Sequence, residues 1–337
     1  MNYEILIALL HFVFAFFACI GLTKWWINVA RKNKLEGKDM NKYNKPLVPE
    51  AGGIAVIVSI VLAMMLYVFF KTFVLKTGTH LIETLTLVIT LLLACFIGFI
   101  DDILGWKKGI AGWQKILMTI PIAIPLMVIK AGHSIMSVPF FGAVDFGLFY
   151  PLAIVLIGVV GATNGYNLLA GYNGLEAGLG IIIFIALGTI SLATGQLWLA
   201  LIAAIIVFAL VGFLIFNKYP AKVFPGDSLT YSLGALIACF AILGNIEKAA
   251  LILFIPFIIE GILKARSKFK AENFGIPQKD GSLEPPYKQT YSLTHLTLKL
   301  LKRIKPSKKI YEKDIVWFLA IIEIILSIFV LIYVFIL

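Results

Sequence analysis

The chain has 337 residues, 61% hydrophobic and 14% charged, with a formal net charge of +11. That apolar excess excludes an ordinary soluble domain, and the absence of short alternating runs excludes a β-barrel. The positive charge would suit nucleic acid, but its distribution along the chain, described below, does not.

Apolar runs of about 18 or more residues recur and read as transmembrane helices, whose backbone polar groups must bond within the segment. The first covers 5–27. It lacks a basic start and a small-residue cleavage site, so it reads as a span rather than a cleaved leader. The second, 51–70, opens at "LVPEAGG", with Glu50 at its entry. The third, 81–100, leaves through "FIGFIDDILGW", with Asp101 and Asp102 at its exit. The fourth, 113–131, has Lys115 just inside it, in "GWQKILM". A hairpin-like stretch, "GHSIMSVPFFGAVDFG", leads to the fifth, 148–166. The polar stretch "GATNGYNLLAGYNGLEAG" joins it to the sixth, 175–194. The seventh, 196–215, and the eighth, 228–245, flank "FNKYPAKVFPGD", which puts Asp227 at the entry of the eighth. The ninth, 247–264, and the tenth, 314–336, flank the long polar segment 265–313. Cys19, Cys95 and Cys239 lie in apolar runs without metal or disulfide spacing and read as packing residues. The predicted fold is all-α: a polytopic membrane bundle of ten transmembrane helices, one integral-membrane domain over 1–337, with a cytosolic loop at 265–313.

Of 29 lysines and arginines, all but Lys71, Lys76, Lys130 and Lys248 lie in or beside the loops after helices one, three, five, seven and nine. The positive-inside rule places those loops in the cytoplasm and both termini outside. The basic excess therefore reads as topology and contact with anionic membrane lipid, not nucleic acid. No inverted duplication is visible, which weighs against a secondary transporter. Glu260 and Glu323 are the mid-span acids such a transporter would use.

Acids and amides collect on that same face. Glu50 and Asp227 suit helix N-termini, where a carboxylate caps and meets the positive dipole end. Asp101 and Asp102 sit at the negative end of their helix and repel each other, so a cation or cationic partner is expected there. Asn164 and Asn167 are three apart and share a face if helix five runs through them. Asn173 lies past Gly171 and needs a turn to come back. Amide oxygens suit Mg²⁺ and amide N–H groups suit phosphate or sugar; a polar lock between helices is the structural alternative. Lys115 reads as an interface-seeking lysine or as a phosphate contact. Metal-holding acids and phosphate-holding lysines together fit phosphoryl transfer, which needs charge neutralisation and in-line positioning.

"GFIDD", "NGYNLLAGYNGLEAG" and "FPGDS" resemble the polyprenyl-phosphate N-acetylhexosamine-1-phosphate transferases (glycosyltransferase family 4), and the likeness runs in order along the whole chain. "NLLAGYNGLEAG", "GKDMNK", "VPEAGG" and "KDGSLEPPY" look like the UDP-GlcNAc–dolichyl-phosphate GlcNAc-1-phosphotransferase branch. The aspartate-rich and histidine-rich motifs of the bacterial phospho-MurNAc-pentapeptide enzymes are missing. The resemblance implies an enzyme moving GlcNAc-1-phosphate from UDP-GlcNAc to a polyprenyl or dolichyl phosphate, with release of UMP. That is the first step of building a lipid-linked oligosaccharide for protein N-glycosylation. It implies Mg²⁺, with Mn²⁺ as a substitute, held by Asn167 and Asp227. Lys38, Asp39, Met40, Glu50 and Asn173 would contact the UDP-sugar, and Lys115, Asn164 and Asn167 the lipid phosphate. Asp101 and Asp102 match the paired catalytic aspartates: Asp101 to deprotonate or orient the acceptor phosphate, Asp102 to support the metal site. The branch's Arg-His-Arg cluster is replaced by "ARSKFKAENFG", where Arg266, Lys268 and Lys270 would supply the charge. His295, in "YSLTHLTLK", reads as a surface residue. The short last loop resembles prokaryotic, archaeal relatives and implies a cell membrane rather than an endoplasmic reticulum. A homodimer stays open, as does a donor of the UDP-MurNAc-pentapeptide kind.

Overall fold

The computed structural model describes residues 3–104, 112–138 and 142–336. A helix stands at each of the ten predicted places. They are α1 (Tyr3–Lys32), α2 (Gly53–Phe69), α3 (Leu81–Leu104), α4 (Gly112–Val128), α5 (Val155–Leu168), α6 (Leu175–Ala193), α7 (Leu197–Asn217), α8 (Gly226–Gly244), the pair α9 (Glu247–Leu253) and α10 (Ile255–Ala265), and, after α11 (Leu293–Ile304), α12 (Glu312–Ile336). Among the described residues, eight helical segments are long and apolar enough to cross a membrane. α4, with Pro121 and Pro125 inside it, is shorter than those eight.

Two expectations need correcting. The ninth helix is not continuous but breaks at Phe254 (φ −89°, ψ 0°). Pro256 explains this: it lacks an N–H donor, and it occupies the first turn of α10, where none is needed. Segment 265–313 is more than a polar loop, since it holds the amphipathic α11 and a small β-ribbon. Three two-stranded antiparallel ribbons trim the helical fold: β1 (Glu36–Lys38) with β2 (Leu47–Pro49), β3 (Ile135–Val138) with β4 (Gly142–Asp145), and β5 (Ile276–Pro277) with β6 (Leu283–Glu284). The second is the predicted hairpin, whose tip at 139–141 lies outside the described residues.

α8 is the central post. Every residue from Ser228 to Ile242 is buried. It packs on α3 and α5, and more lightly on α2 and α9. Glycines permit that closeness, since lipid supplies little hydrophobic drive between helices and backbones must approach for dispersion contact. A Cβ at Gly98 of α3 would meet the Asp227 carbonyl, and one at Gly234 of α8 would meet the Ala162 backbone and stand 2.8 Å from the Thr163 Cα. Several hydroxyls inside the bundle are satisfied within their own helix: Ser59, Thr163, Ser191 and Ser232 each donate to the carbonyl four residues back. The outward faces keep bare apolar side chains such as Phe17, Phe96, Ile157, Trp317 and Phe329, which suits lipid as solvent.

Gly234→Ala is expected to destabilise the bundle by about 1–3 kcal/mol through overpacking against α5. Gly158→Ala on α5, where a Cβ meets nothing within 4 Å, is expected to gain up to about 1 kcal/mol of helix propensity. Thermal unfolding in detergent, with shifts of opposite sign, checks this.

Candidate functional site

The ends of α3, α4, α5 and α8 meet around one carboxylate, Asp227. Its main chain is fixed first. Asp102, at the end of α3, accepts the N–H of Asp227 at 2.6 Å and that of Ser228 at 3.1 Å. Asp102 is thus the N-terminal cap of α8, supplied from another helix; Pro225, the residue in the cap position, offers no side-chain bond. The positive end of α8 offsets the cost of an acid at the negative end of α3. Gly226, at φ +71°, lets the chain turn there, and a Cβ on it would meet the Asp102 carboxylate.

The Asp227 side chain is held from two directions. Asn167 Nδ2 donates to its Oδ1 at 2.7 Å and to Thr230 Oγ1 at 2.8 Å. Lys115 Nζ lies 3.1 Å from its Oδ2 and pairs also with Asp101. Glu50 completes the group from the entry to α2, which is laced to the "FPGD" turn by Gly52 N–H to Phe224 O (2.9 Å) and Gly53 N–H to Pro225 O (2.8 Å). Burial, and then the Asp227 charge, raise the Glu50 carboxyl above its ordinary range. Asp101 and Asp227 both pair with the Lys115 ammonium.

Among the described residues, no three His, Cys, Asp or Glu side chains form a group that could hold a metal ion. Mg²⁺ does not require one: it keeps several waters and takes one or two carboxylates plus substrate phosphates. The donor set fits that pattern. Asp227 and a neighbouring amide are hard oxygen donors, and a half-turn of the Asn167 amide brings its Oδ1 where Nδ2 now lies.

Asn164 does not face this group. Its Nδ2 donates to Thr119 Oγ1 at 2.8 Å and Val160 O at 2.9 Å, tying α5 to α4. This is the interhelical lock weighed above. Asn173 does turn back: its Nδ2 donates to Asp39 Oδ2 at 3.0 Å. Asp39 is buried, whereas Lys38 is exposed at the end of β1 and Met40 is partly exposed. Arg266, Lys268 and Lys270 are exposed, and no described residue gives their side chains a hydrogen bond or ion pair.

The loop between α5 and α6 also rests on residues the sequence reading passed over. Asn273 Nδ2 donates to the carbonyls of Leu168 and Ala170, both at 2.8 Å. Asn41 Nδ2 donates to Gly171 O at 3.0 Å, and Glu176 accepts the Gly171 N–H at 2.6 Å. Glu176 stands within the quoted "GLEAG", and Asn41 adjoins the stretch assigned to the nucleotide. Asn273 stands within the quoted "ARSKFKAENFG", where the basic residues are the ones that stand out. Of the two mid-span acids, Glu260 accepts the N–H of Leu293 at 2.6 Å and the Ser292 hydroxyl at 3.0 Å, so it anchors α11. Glu323 is buried in α12.

The glycosyl transferase family 4 model matches residues 84–245, from α3 to the end of α8. A protein of Saccharolobus solfataricus, named for UDP-N-acetylglucosamine–dolichyl-phosphate N-acetylglucosaminephosphotransferase activity, is 38% identical over 88% of this chain and 89% of its own. A namesake from Sulfolobus acidocaldarius is 34% identical over 95% of each. A phospho-N-acetylmuramoyl-pentapeptide-transferase of Halalkalibacterium halodurans is 32% identical over 75% of this chain and 80% of its own.

His295 corrects the sequence reading. It is 1% exposed, on the inner face of α11, edge-on to Tyr287 at 5.4 Å. The helical period turns it inward with Leu298, while Lys302 and Arg303 lie at the outer, basic end. Burial, with Lys264 beside it, pushes its imidazole from 6.5 down to about 4. The unfolded chain takes up this proton near pH 6.5 and the folded chain only near 4, so acidification through that window favours unfolding. The expected loss is about 2 kcal/mol between pH 7 and pH 4.5, and His295→Gln should flatten it. Unfolding midpoints measured across that range check both.

Proposed function

Because the chain belongs to glycosyl transferase family 4, we propose that it transfers GlcNAc-1-phosphate from UDP-GlcNAc to a polyprenyl phosphate of the dolichyl type. The products are polyprenyl-diphospho-GlcNAc and UMP, the opening step of a lipid-linked oligosaccharide for N-glycosylation. The named activity of two relatives that match this chain nearly end to end supports the reading. The observation that carries it is the meeting of Asp227, Asn167 and Lys115 at the ends of three helices.

An oxygen of the acceptor phosphate forms a bond to the β-phosphorus of the donor. The bond from that phosphorus to the bridging oxygen breaks, and its electron pair leaves on UMP. Lys115 draws the lipid phosphate to the mouth of the bundle, where an ammonium beside low-dielectric lipid acts strongly. Asp101 holds Lys115 in place and orients that phosphate. Asp102 fixes the backbone beneath Asp227. Asn173 and Asp39 present polar groups to the sugar nucleotide, and Glu50 closes the same side. Asn167 and Asp227 would hold a divalent ion, Mg²⁺ or Mn²⁺, and the chemistry it would supply there is neutralisation of pyrophosphate charge. The chain is an integral membrane protein. We place the reacting ends on the cytoplasmic face of a cell membrane, with ten crossings and both termini outside; the basic loops support this orientation.

Purified protein with Mg²⁺, dolichyl phosphate and a panel of UDP-sugars is expected to release UMP from UDP-GlcNAc. Release only from UDP-MurNAc-pentapeptide would assign it to the activity named for its bacterial relatives. Asp227→Ala is expected to lose at least about 10³-fold in turnover while the protein stays folded by circular dichroism; retained Mg²⁺-dependent turnover would refute the site. The native cysteines are buried, so Lys288→Cys and Lys248→Cys report topology directly. An impermeant thiol reagent applied to intact cells should label the second and spare the first.

A further inference from the structure

α12 opens with two acids that serve different ends. Asp314 accepts the Tyr311 N–H at 2.9 Å and pairs with Lys305 at 2.8 Å, which fixes the helix start. Glu312 is 2% exposed, and both its oxygens are taken by distant segments. Oε1 accepts the backbone N–H of Asn173 at 2.7 Å, across 139 residues. Oε2 pairs with Lys42, across 270 residues.

Both contacts lead to one place. Lys42 reaches Asp39 Oδ2 at 3.3 Å, the oxygen to which Asn173 Nδ2 donates. Lys42 also lies 4.1 Å from the centre of the Tyr219 ring. Asp39, Lys42 and Tyr219, with Tyr43, Gln278 and Lys279, line a cleft of about 510 Å³. A buried carboxylate is costly unless paired and hydrogen-bonded, and a cap could satisfy it locally. Here the partners are the wall of a cleft and the loop that carries Asn173. Lys115 pairs instead with Asp101 and Asp227, on the side assigned to the acceptor.

We propose that Glu312 is a positioning residue for the donor: it sets Asn173 and Lys42 at the cleft, so donor binding depends on it and acceptor binding does not. This rests on the transferase reading above. Glu312→Gln keeps an oxygen for the Asn173 N–H but drops the charge opposite Lys42, which leaves Lys42 to pull on Asp39 alone. The variant is expected to raise the KM for UDP-GlcNAc about tenfold, as befits a lost charged hydrogen bond, with kcat and the KM for dolichyl phosphate within about twofold. Lys42→Met, which leaves the bond to Asn173 intact, should show the same split. The double variant should add little to either, because the two residues act as one unit. An unchanged donor KM in Glu312→Gln, or donor and acceptor KM rising together, overturns the inference. Absence of turnover by the parent chain with every UDP-N-acetylhexosamine overturns the transferase reading instead, and this inference with it.

Discussion

A carboxylate at the edge of a bilayer must be held from all sides or it will not stay where chemistry needs it. Asp227 is held by its main chain as well as its side chain. Asp102 grips the two N–H groups at the head of α8, and Asn167 and Lys115 take the two carboxylate oxygens. Shifting any of α3, α4, α5 or α8 would break one of these bonds. The glycines that let α3 and α5 touch α8 serve the same end: without the close approach at Gly98, Asp102 could not reach around to cap its neighbour. Packing and site geometry are therefore one constraint.

That arrangement also explains why the stretch between α5 and α6 is rich in amides rather than charges. A neutral amide costs less to desolvate than an ion, yet offers both donors and acceptors in fixed positions. Asn164 ties α5 to α4, Asn167 braces Asp227, and Asn173 turns back onto Asp39. Asn41 and Asn273 reach in from the two polar segments to hold the loop's carbonyls. Similar amides thus do separate jobs, because each meets a different neighbour.

Much of this was legible in the chain. Apolar run length located the helices, because the cost of unpaired backbone in lipid leaves few alternatives. The acids were legible as a group because a membrane protein has little reason to keep charge at a span end. What could not be read was pairing across long separations. Asp102 caps a helix through the N–H of Asp227, 125 residues later, and no local pattern carries that. Asn164 and Asn167 look alike in sequence, and only their neighbours in the fold, Thr119 of α4 for one and Asp227 and Thr230 of α8 for the other, tell them apart. His295 was misread because a lone histidine in a polar segment looks solvated; the amphipathic period of α11 was the signal that it faces inward. The break at Phe254 was also legible, since Pro256 announces it.

The network divides at Asn167. On one side, Lys115 and Asp101 sit at the ends of α4 and α3, where a lipid-borne phosphate would arrive from the bilayer. On the other, Asp39, Lys42, Asn173 and Glu312 bind three separate segments around an open cleft, where a water-soluble anion would arrive. Two reactants of opposite solubility can meet only at an interface, and each needs its own approach. Asn167, in the last turn of α5, and Asn173, in the loop that follows, are close in sequence, so the contacts on either side are set by a single piece of backbone. Fixing that loop with buried bonds from both polar segments fixes the distance between the two approaches. In-line phosphoryl transfer demands that fixed distance, because misplacement of about 1 Å can cost a hundredfold in rate.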